Sequence, residues 1–335
     1  MTATAPRITV VLITHNGAGL IEQALHTVLD QTLASLEVVV VDDGSTDDTA
    51  DRARAVGAAD PRVRGVSQAN GGPARARNRG IREARGEYVA FLDHDDRWSR
   101  RKLEAQADLL DRRPDAAVAS CYSALVDEEG RTLGWRIGGN ADGDVYAEML
   151  EWDMVSGGSV VLARRSALLA TGGFDETLPM RSDWDLWIRL ARAYRFATAR
   201  ETLVGYTRSP SGLSSLPERM AAAGEQVIAR ACSRDGTIDE RRLRFLRARD
   251  SFGIACLCLF DARAADAWRY LRRSARLTAA PMLRSPRRWA IVGAIALLTL
   301  LPRPAYEAVL GLACRWFFGL RAGTRFEGLA SSPRA

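Results

Sequence analysis

Residues Leu36–Ser45 read LEVVVVDDGS. A β-branched run this unbroken has no polar face, so it reads as a strand covered on both sides, as in a parallel sheet. It stops on two acids, a glycine and a serine. Upstream, ITVVLIT (8–14) has the same character. It is followed by the turn HNGAG and by LIEQALHTVLDQT, whose Leu20, Ala24 and Val28, with Leu25 and Leu29 one step on, recur at helical spacing. Downstream, residues 46–56 read as a helix capped by Ser45 or Thr46, and VRGVSQ (63–68) as a short strand. GGPARARNRGIREARG (71–86) reads as a turn and then a basic helix, and EYVAFLD (87–93) as the next strand. Ser99 is expected to cap a helix, RRKLEAQADLLDRR, that stops before Pro114. AAVASCYSALVDEEGR then reads as a strand entering a hairpin-type turn at Glu128–Gly130. Strand and helix thus alternate through about residue 125. This predicts a doubly wound, mostly parallel α/β sheet, which takes its ligands outside the carboxyl ends of its strands.

Residues 131–215 are less regular. They hold a Gly-rich stretch (GGNADGD), a strand SVVLA (159–163), the turn TGGFDE and a helix on SDWDLWIRLARAY. From about 218 the chain reads as helical. Trp289–Leu301 is an uncharged apolar run of thirteen residues, shorter than the roughly 20 a membrane span needs. With 335 residues, 47% hydrophobic and 26% charged, the composition is that of a globular protein large enough for one big core or two smaller ones. Residues 1–240 hold 29 basic and 36 acidic side chains, whereas 241–335 hold 18 arginines and five acids. An acidic body with a basic tail suits a tail that meets an anionic surface, or equally a solvated helical appendage. Five scattered cysteines without a C-x-x-C pair, and three histidines, give neither zinc spacing nor a disulfide framework, and fit a reducing cytoplasm. The apolar run Ile8–Ile13 is too short for a signal peptide and reads as the first strand.

The chemistry is expected at the strand ends. Gly17-Ala-Gly19 nearly makes a dinucleotide-binding fingerprint, but Glu22 stands where the third glycine belongs and would oppose a pyrophosphate. Asp42-Asp43-Gly44-Ser45 reads as a helix cap or as a nucleotide contact. Asp93-His94-Asp95-Asp96 reads as a solvated turn or as a hard-cation site, because Mg²⁺ and Mn²⁺ are held by one or two carboxylates plus substrate phosphates. Asp183 and Asp185 lie near a helix N-terminus, favoured there by the dipole or placed as a general base. Of Arg75, Arg77, Arg79, Arg82 and Arg85, most read as a solvated helix face, with Arg75, beside the Gly71-Gly72-Pro73 turn, able to reach a phosphate.

In order, ITVVLITHN, SLEVVVVDDGSTDDT, NGGPARARNRGIREARGEYVAFLDHDDRW, GGFDE and SDWDLWIRLA resemble the family 2 inverting glycosyltransferases of GT-A fold, over about residues 7–195. The resemblance implies a nucleotide-sugar-binding part (7–130) and an acceptor part (131–215) in a domain spanning 1–215; the helical basic region (216–335), read from its own residues, lies beyond the resemblance. It implies that Thr14 and Asn16 line the nucleotide pocket, that Asp43 contacts the base, and that Asp93 and Asp95 form the D-x-D pair with Mg²⁺ or Mn²⁺ on Asp95. Asp183 takes the place of the catalytic base. Ser182 stands where Glu often precedes that aspartate, which leaves Asp183 and Asp185 both open. The Q-x-x-R-W motif of processive members is missing, since Leu312 lies three before Arg315-Trp316, so one sugar is expected per encounter. The implied donor is a UDP-sugar or a related nucleotide sugar, and the acceptor a glycan or lipid-linked hydroxyl in cell-surface polysaccharide or glycolipid synthesis. The implied location is the cytoplasm, with 284–321 either on the anionic inner face of the membrane or packed as a helical bundle; no nucleic acid is expected. A sugar nucleotidyltransferase would need a basic glycine-rich loop after the first strand, where HNGAG has no Lys or Arg. A non-catalytic nucleotide-sugar-binding protein would have no need of Asp43, Asp95 and Asp183 together.

Overall fold

The computed structural model describes residues 5–127, 129–138, 140–207, 216–279, 286–302, 304–305 and 326. The chain runs β1 (Ile8–Thr14), α1 (Ile21–Leu29), β2 (Leu36–Asp42), α2 (Thr49–Ala59), β3 (Val63–Ser67), α3 (Pro73–Glu83), β4 (Tyr88–Asp93), β5 (Arg97–Trp98) and α4 (Lys102–Arg112). It continues through β6 (Ala116–Val126), β7 (Thr132–Ile137), α5 (Tyr146–Glu151), β8 (Leu162–Arg164), α6 (Arg165–Ala170), α7 (Ser182–Ala193) and β9 (Arg195–Thr207). Four helices follow: α8 (Pro217–Arg234), α9 (Glu240–Phe260), α10 (Ala264–Leu277) and α11 (Pro286–Leu300).

The described strands form one sheet in the order β3-β2-β1-β4-β8-β6-β9-β5, with β7 on β6. β3, β2, β1 and β4 are parallel, as the buried β-branched runs predict. Every residue of β1 and β2 is buried. Thr14 pairs with Asp42, and Ile13 with Asp93, so the end of β1 and the acid-bearing ends of β2 and β4 fall at one level. Beyond β4 the sheet is mixed. β8 runs antiparallel to both β4 and β6, whereas β6 and β9 are parallel.

Several local expectations shift. Residues 97–98 pair with β9 instead of entering a helix, so the helix expected from Ser99 begins at Lys102; the Ser99 N–H donates to the Leu203 carbonyl. α2 begins at Thr49, with Asp47 accepting from the Thr49 N–H, because the Ser45 hydroxyl and the Thr46 N–H are engaged by Asn16 across the loops. The strand expected at 159–163 is displaced to Leu162–Arg164. The thirteen-residue β9 lies in a stretch that gives no regular pattern, since its alternation is broken by Arg200-Glu201 and its pairing with β6 shifts register. The hairpin turn after β6 does form, with the Gly130 N–H on the Asp127 carbonyl.

The boundary expected near 215 adjoins 208–215, outside the described residues. On its far side, Val227, Ile228, Ala231, Phe245 and Leu246 belong to the main core, and a second cluster joins the end of α9 to α10 and α11. Half of 284–321, including Arg315 and Trp316, lies outside the described residues. No helix of the described residues is long and apolar enough to cross a membrane.

Candidate functional site

The β4 end sorts its three aspartates into three states. Arg77, on α3 and 7% exposed, donates from Nη2 to both oxygens of Asp93 at 2.7 and 2.9 Å. Asp96 is buried, and its Oδ1 accepts the Thr207 N–H at 3.0 Å, tying the end of β9 to this turn. Burial, then the Asp95 and Asp93 charges, push its carboxyl well above the usual range. Burial and Asp93 also raise Asp95, and no hydrogen bond from another residue reaches the Asp95 side chain among the described residues. Neither Asp95 nor Asp96 has a cation in contact among the described residues, and of the two only the middle carboxylate, Asp95, is not fully buried. The ring of His94 lies over Gly17. A Cβ there would meet His94 Cδ2 at 2.5 Å and Thr14 Oγ1 at 2.7 Å, so the glycine of HNGAG makes room for the D-x-D turn.

On the nucleotide side, Thr14 is buried with its hydroxyl unpartnered, and Asn16 is exposed at a left-handed φ of 51°. Asp43 is buried. Its Oδ1 accepts from Gln68 Nε2 (2.8 Å) and the Gly71 N–H (2.9 Å), and its Oδ2 from the Gly72 N–H (2.8 Å). This carboxylate therefore fixes the Gly71–Gly72 turn at the start of α3, with Arg75 exposed one turn later and folded against Gly71.

Arg77 does not lie on a solvated face as the helix's charge suggests. Ala74, Arg77, Asn78 and Ile81 form the buried stripe of α3. That i, i+3, i+4, i+7 phase was available in the sequence and marks Arg77 as an inward cation. Asn78 donates to the Phe174 carbonyl and accepts the Phe174 N–H, both at 2.8 Å, clamping the GGFDE turn. Phe174 stacks edge-on against Phe91 of β4 (5.2 Å) and Trp187 of α7 (6.2 Å), with the Arg77 guanidinium 5.5 Å from its ring. One aromatic thus joins the D-x-D strand to the helix that carries Asp183.

On α7 the two open candidates differ sharply. Asp185 is 1% exposed, with Oδ2 on Arg189 Nε (2.8 Å) and Oδ1 on Arg234 Nη1 (2.6 Å). Asp183 is half-buried, and among the described residues its Oδ1 accepts only the adjacent Trp184 N–H at 2.8 Å. Burial works against the Arg77 charge, and the charges of Asp93 and Asp183 more than offset it, so its guanidinium is held above its ordinary value. Arg77 is therefore close to both acidic corners. A further carboxylate, Asp153, caps the Val155 and Ser156 N–H groups at 3.0 and 2.8 Å. Burial and then Asp183 push it up to about 7. No sequence signal marks Asp153, because its neighbourhood with α7 exists only after folding. The C-terminal helices reach this corner through Arg234 of α8 and through Arg181, whose Nη1 donates to Asp250 of α9 at 2.6 Å.

No group of three or more His, Cys, Asp or Glu able to cage a metal occurs among the described residues. The donor set, an uncompensated Asp95 beside Asp93, fits instead a hard divalent ion that completes its shell with substrate oxygens.

An α/β sheet with this strand-end constellation has the architecture of a GT-A glycosyltransferase. Residues 9–168 match Glycosyl transferase family 2, and that span is a domain of the family. TuaG of Bacillus subtilis, whose name assigns it provisionally to teichuronic acid biosynthesis, is 39% identical over 134 residues, 40% of this chain and 53% of TuaG. An uncharacterized glycosyltransferase of Rickettsia conorii is 30% identical over 193 residues, 55% of this chain and 31% of the relative. The chain thus spans about half the length, or less, of these two relatives. In fold it is similar to the mannosyltransferase PcManGT of Pyrobaculum calidifontis, solved with GDP-Man and Mn²⁺, at a TM-score of 0.61 and 24% identity over 94% of this chain and 88% of that one.

Proposed function

We propose that the chain is a metal-dependent, inverting and non-processive glycosyltransferase. It moves a sugar from a nucleoside diphosphate donor, foremost a UDP-sugar, to a hydroxyl of a glycan or lipid-linked acceptor in cell-surface polysaccharide or glycolipid synthesis at the cytoplasmic face of the membrane. One observation carries the reading: among the described residues each acidic corner pairs an arginine-bound aspartate with a partly exposed one two residues away that no arginine holds, Asp95 at the β4 end and Asp183 at the start of α7. The GDP-Man and Mn²⁺ bound in the PcManGT structure are a donor and a metal of the class proposed here.

Asp95, with Asp93 behind it, would hold Mg²⁺ or Mn²⁺, which when bound supplies positive charge to the departing diphosphate. Thr14 and Asn16 border the nucleotide. Asp43 contributes through the base and through the Gly71–Gly72 turn it holds, and Arg75 reaches a phosphate. Asp183 accepts the proton of the acceptor hydroxyl as that oxygen attacks C1 from the side opposite the leaving group. The attack inverts the anomeric configuration, as in inverting hydrolases.

The test is a panel of UDP-, GDP- and dTDP-sugars with Mn²⁺, read as slow donor hydrolysis, alongside calorimetric Mn²⁺ binding. We expect hydrolysis of one donor, and Mn²⁺ affinity that rises when the matching nucleotide is present and fails to rise in Asp95→Ala. Hydrolysis of none, or equal Mn²⁺ affinity with and without nucleotide, overturns the reading.

A further inference from the structure

The C-terminal helices carry a charge distribution that sugar transfer leaves unused. α9 and α10 pack as a hairpin joined at Asp261–Arg263. On α10, Arg269, Arg272, Arg273 and Arg276 recur at i, i+3, i+4 and i+7 and are all exposed, which makes one stripe. On the first turns of α9, Arg241 and Arg244 are exposed as well. Leu277, at the end of α10, lines two adjoining grooves of about 680 and 510 Å³, the first walled by Arg247, Arg269, Arg273 and Arg276 and the second by Arg241 and Arg244. Stripe and grooves are therefore one continuous surface.

Its acids do not balance it. Glu225 serves both Arg247 (2.9 Å) and Arg273 (3.2 Å), and Arg269 pairs with Glu218 and Asp266. Arg241, Arg272 and Arg276 have no carboxylate partner among the described residues, and Arg244 reaches only the Glu240 carbonyl of its own helix. Like charges gathered in this way repel, and an anionic partner relieves that repulsion.

The partner's chemistry follows from what surrounds the arginines. Phe245, which borders the second groove, and Tyr270 are both buried, so among the described residues of this face no exposed aromatic offers a platform for unpaired bases. The same hairpin carries the apolar α11, whose Ile295 is buried in the α9–α10 cluster while Leu300 is 77% exposed. At fifteen residues, α11 is about 22 Å long, against about 30 Å of bilayer hydrocarbon. A basic face beside a short apolar helix suits the headgroup boundary of an anionic leaflet.

We propose that the α9–α10 arginine face docks the protein on an anionic phospholipid surface, with α11 lying along it. This does not rest on the transferase reading, and it places the contact on 241–276, ahead of the 284–321 segment that the sequence suggests.

The experiment is co-sedimentation of the full chain with vesicles of phosphatidylcholine, with and without phosphatidylglycerol, at low and high salt. The wild type should pellet with phosphatidylglycerol vesicles only, and less at high salt. Each arginine near such a surface contributes roughly fivefold. The combined Arg241→Glu, Arg244→Glu, Arg272→Glu, Arg276→Glu variant should therefore bind a hundredfold or more weaker, with its melting temperature and donor hydrolysis unchanged. The same four positions as Gln should fall between, which keeps the test open if the Glu variant folds poorly. Equal pelleting with phosphatidylcholine alone, no pelleting at all, full binding by the Gln variant, or tighter binding to duplex DNA than to the vesicles overturns the proposal.

Discussion

The β4 end and the α7 start look alike in the sequence, each a short run of aspartates after a structured segment, and the fold treats them alike. At β4, Arg77 holds Asp93 and the buried Asp96 holds β9, which leaves Asp95. At α7, Arg189 and Arg234 hold Asp185, which leaves Asp183. In each corner an arginine-bound carboxylate sits two residues from one with no such partner. The bound member is architecture, and the other is available to chemistry. The difference lies in what supplies the arginines. At β4 the cation comes from the neighbouring helix of the nucleotide half. At α7 one of the two comes from α8, beyond the expected domain boundary, so the C-terminal helices take part in shaping the corner that holds Asp183.

The sharpest way to break this comparison is to neutralise the two α7 aspartates separately. Asp183→Asn should lower kcat about 1,000-fold with donor affinity and melting temperature close to wild type. Asp185→Asn should instead cost about 3 kcal/mol of stability, because it strands two arginines, and leave most of the turnover of the folded fraction. Steady-state kinetics beside thermal unfolding reads both, and the reverse pattern would move the base to Asp185.

At β4 the same logic is tested through the cation. Arg77→Met should lower kcat roughly 100-fold by releasing Asp93 and leave that half-buried carboxylate without its cation. Arg77→Lys should recover part, since a point charge cannot grip both oxygens as a guanidinium does. Adding Asp93→Asn to Arg77→Met should restore thermal stability more than activity. A double-mutant cycle with no coupling would show that the pair is incidental.

The last effect is a pH dependence, and it concerns Asp153. Its folded carboxyl is pushed up to about 7 from an ordinary 3.8. The folded state therefore holds a proton that the unfolded state has released, and stability falls as pH rises from about 4 towards about 7. Asp153→Asn should remove that fall, so the variant gains on wild type at pH 8 relative to pH 4 in melting temperature. Parallel pH profiles would show that Asp153 does not couple to folding.

Some of this was written plainly in the chain. The unbroken runs of β1 and β2 could only be strands covered on both faces, and in a parallel sheet the acid-bearing ends of β2 and β4 had to fall at the same edge. Helical phase also marks Arg77 as inward, although the surrounding arginines disguise it. The strand β9 escaped because its pairing partner, not its own alternation, holds it extended. Local sequence determined the nucleotide half and the candidate aspartates, since buried-strand patterning and short motifs are near-neighbour properties. Only the tertiary structure decided which aspartates are held and which are free, because a carboxylate's state depends on which cation, backbone N–H or second carboxylate folding brings beside it. Asp183 and Asp185, two residues apart, are separated in role by Arg234 from forty-nine residues downstream.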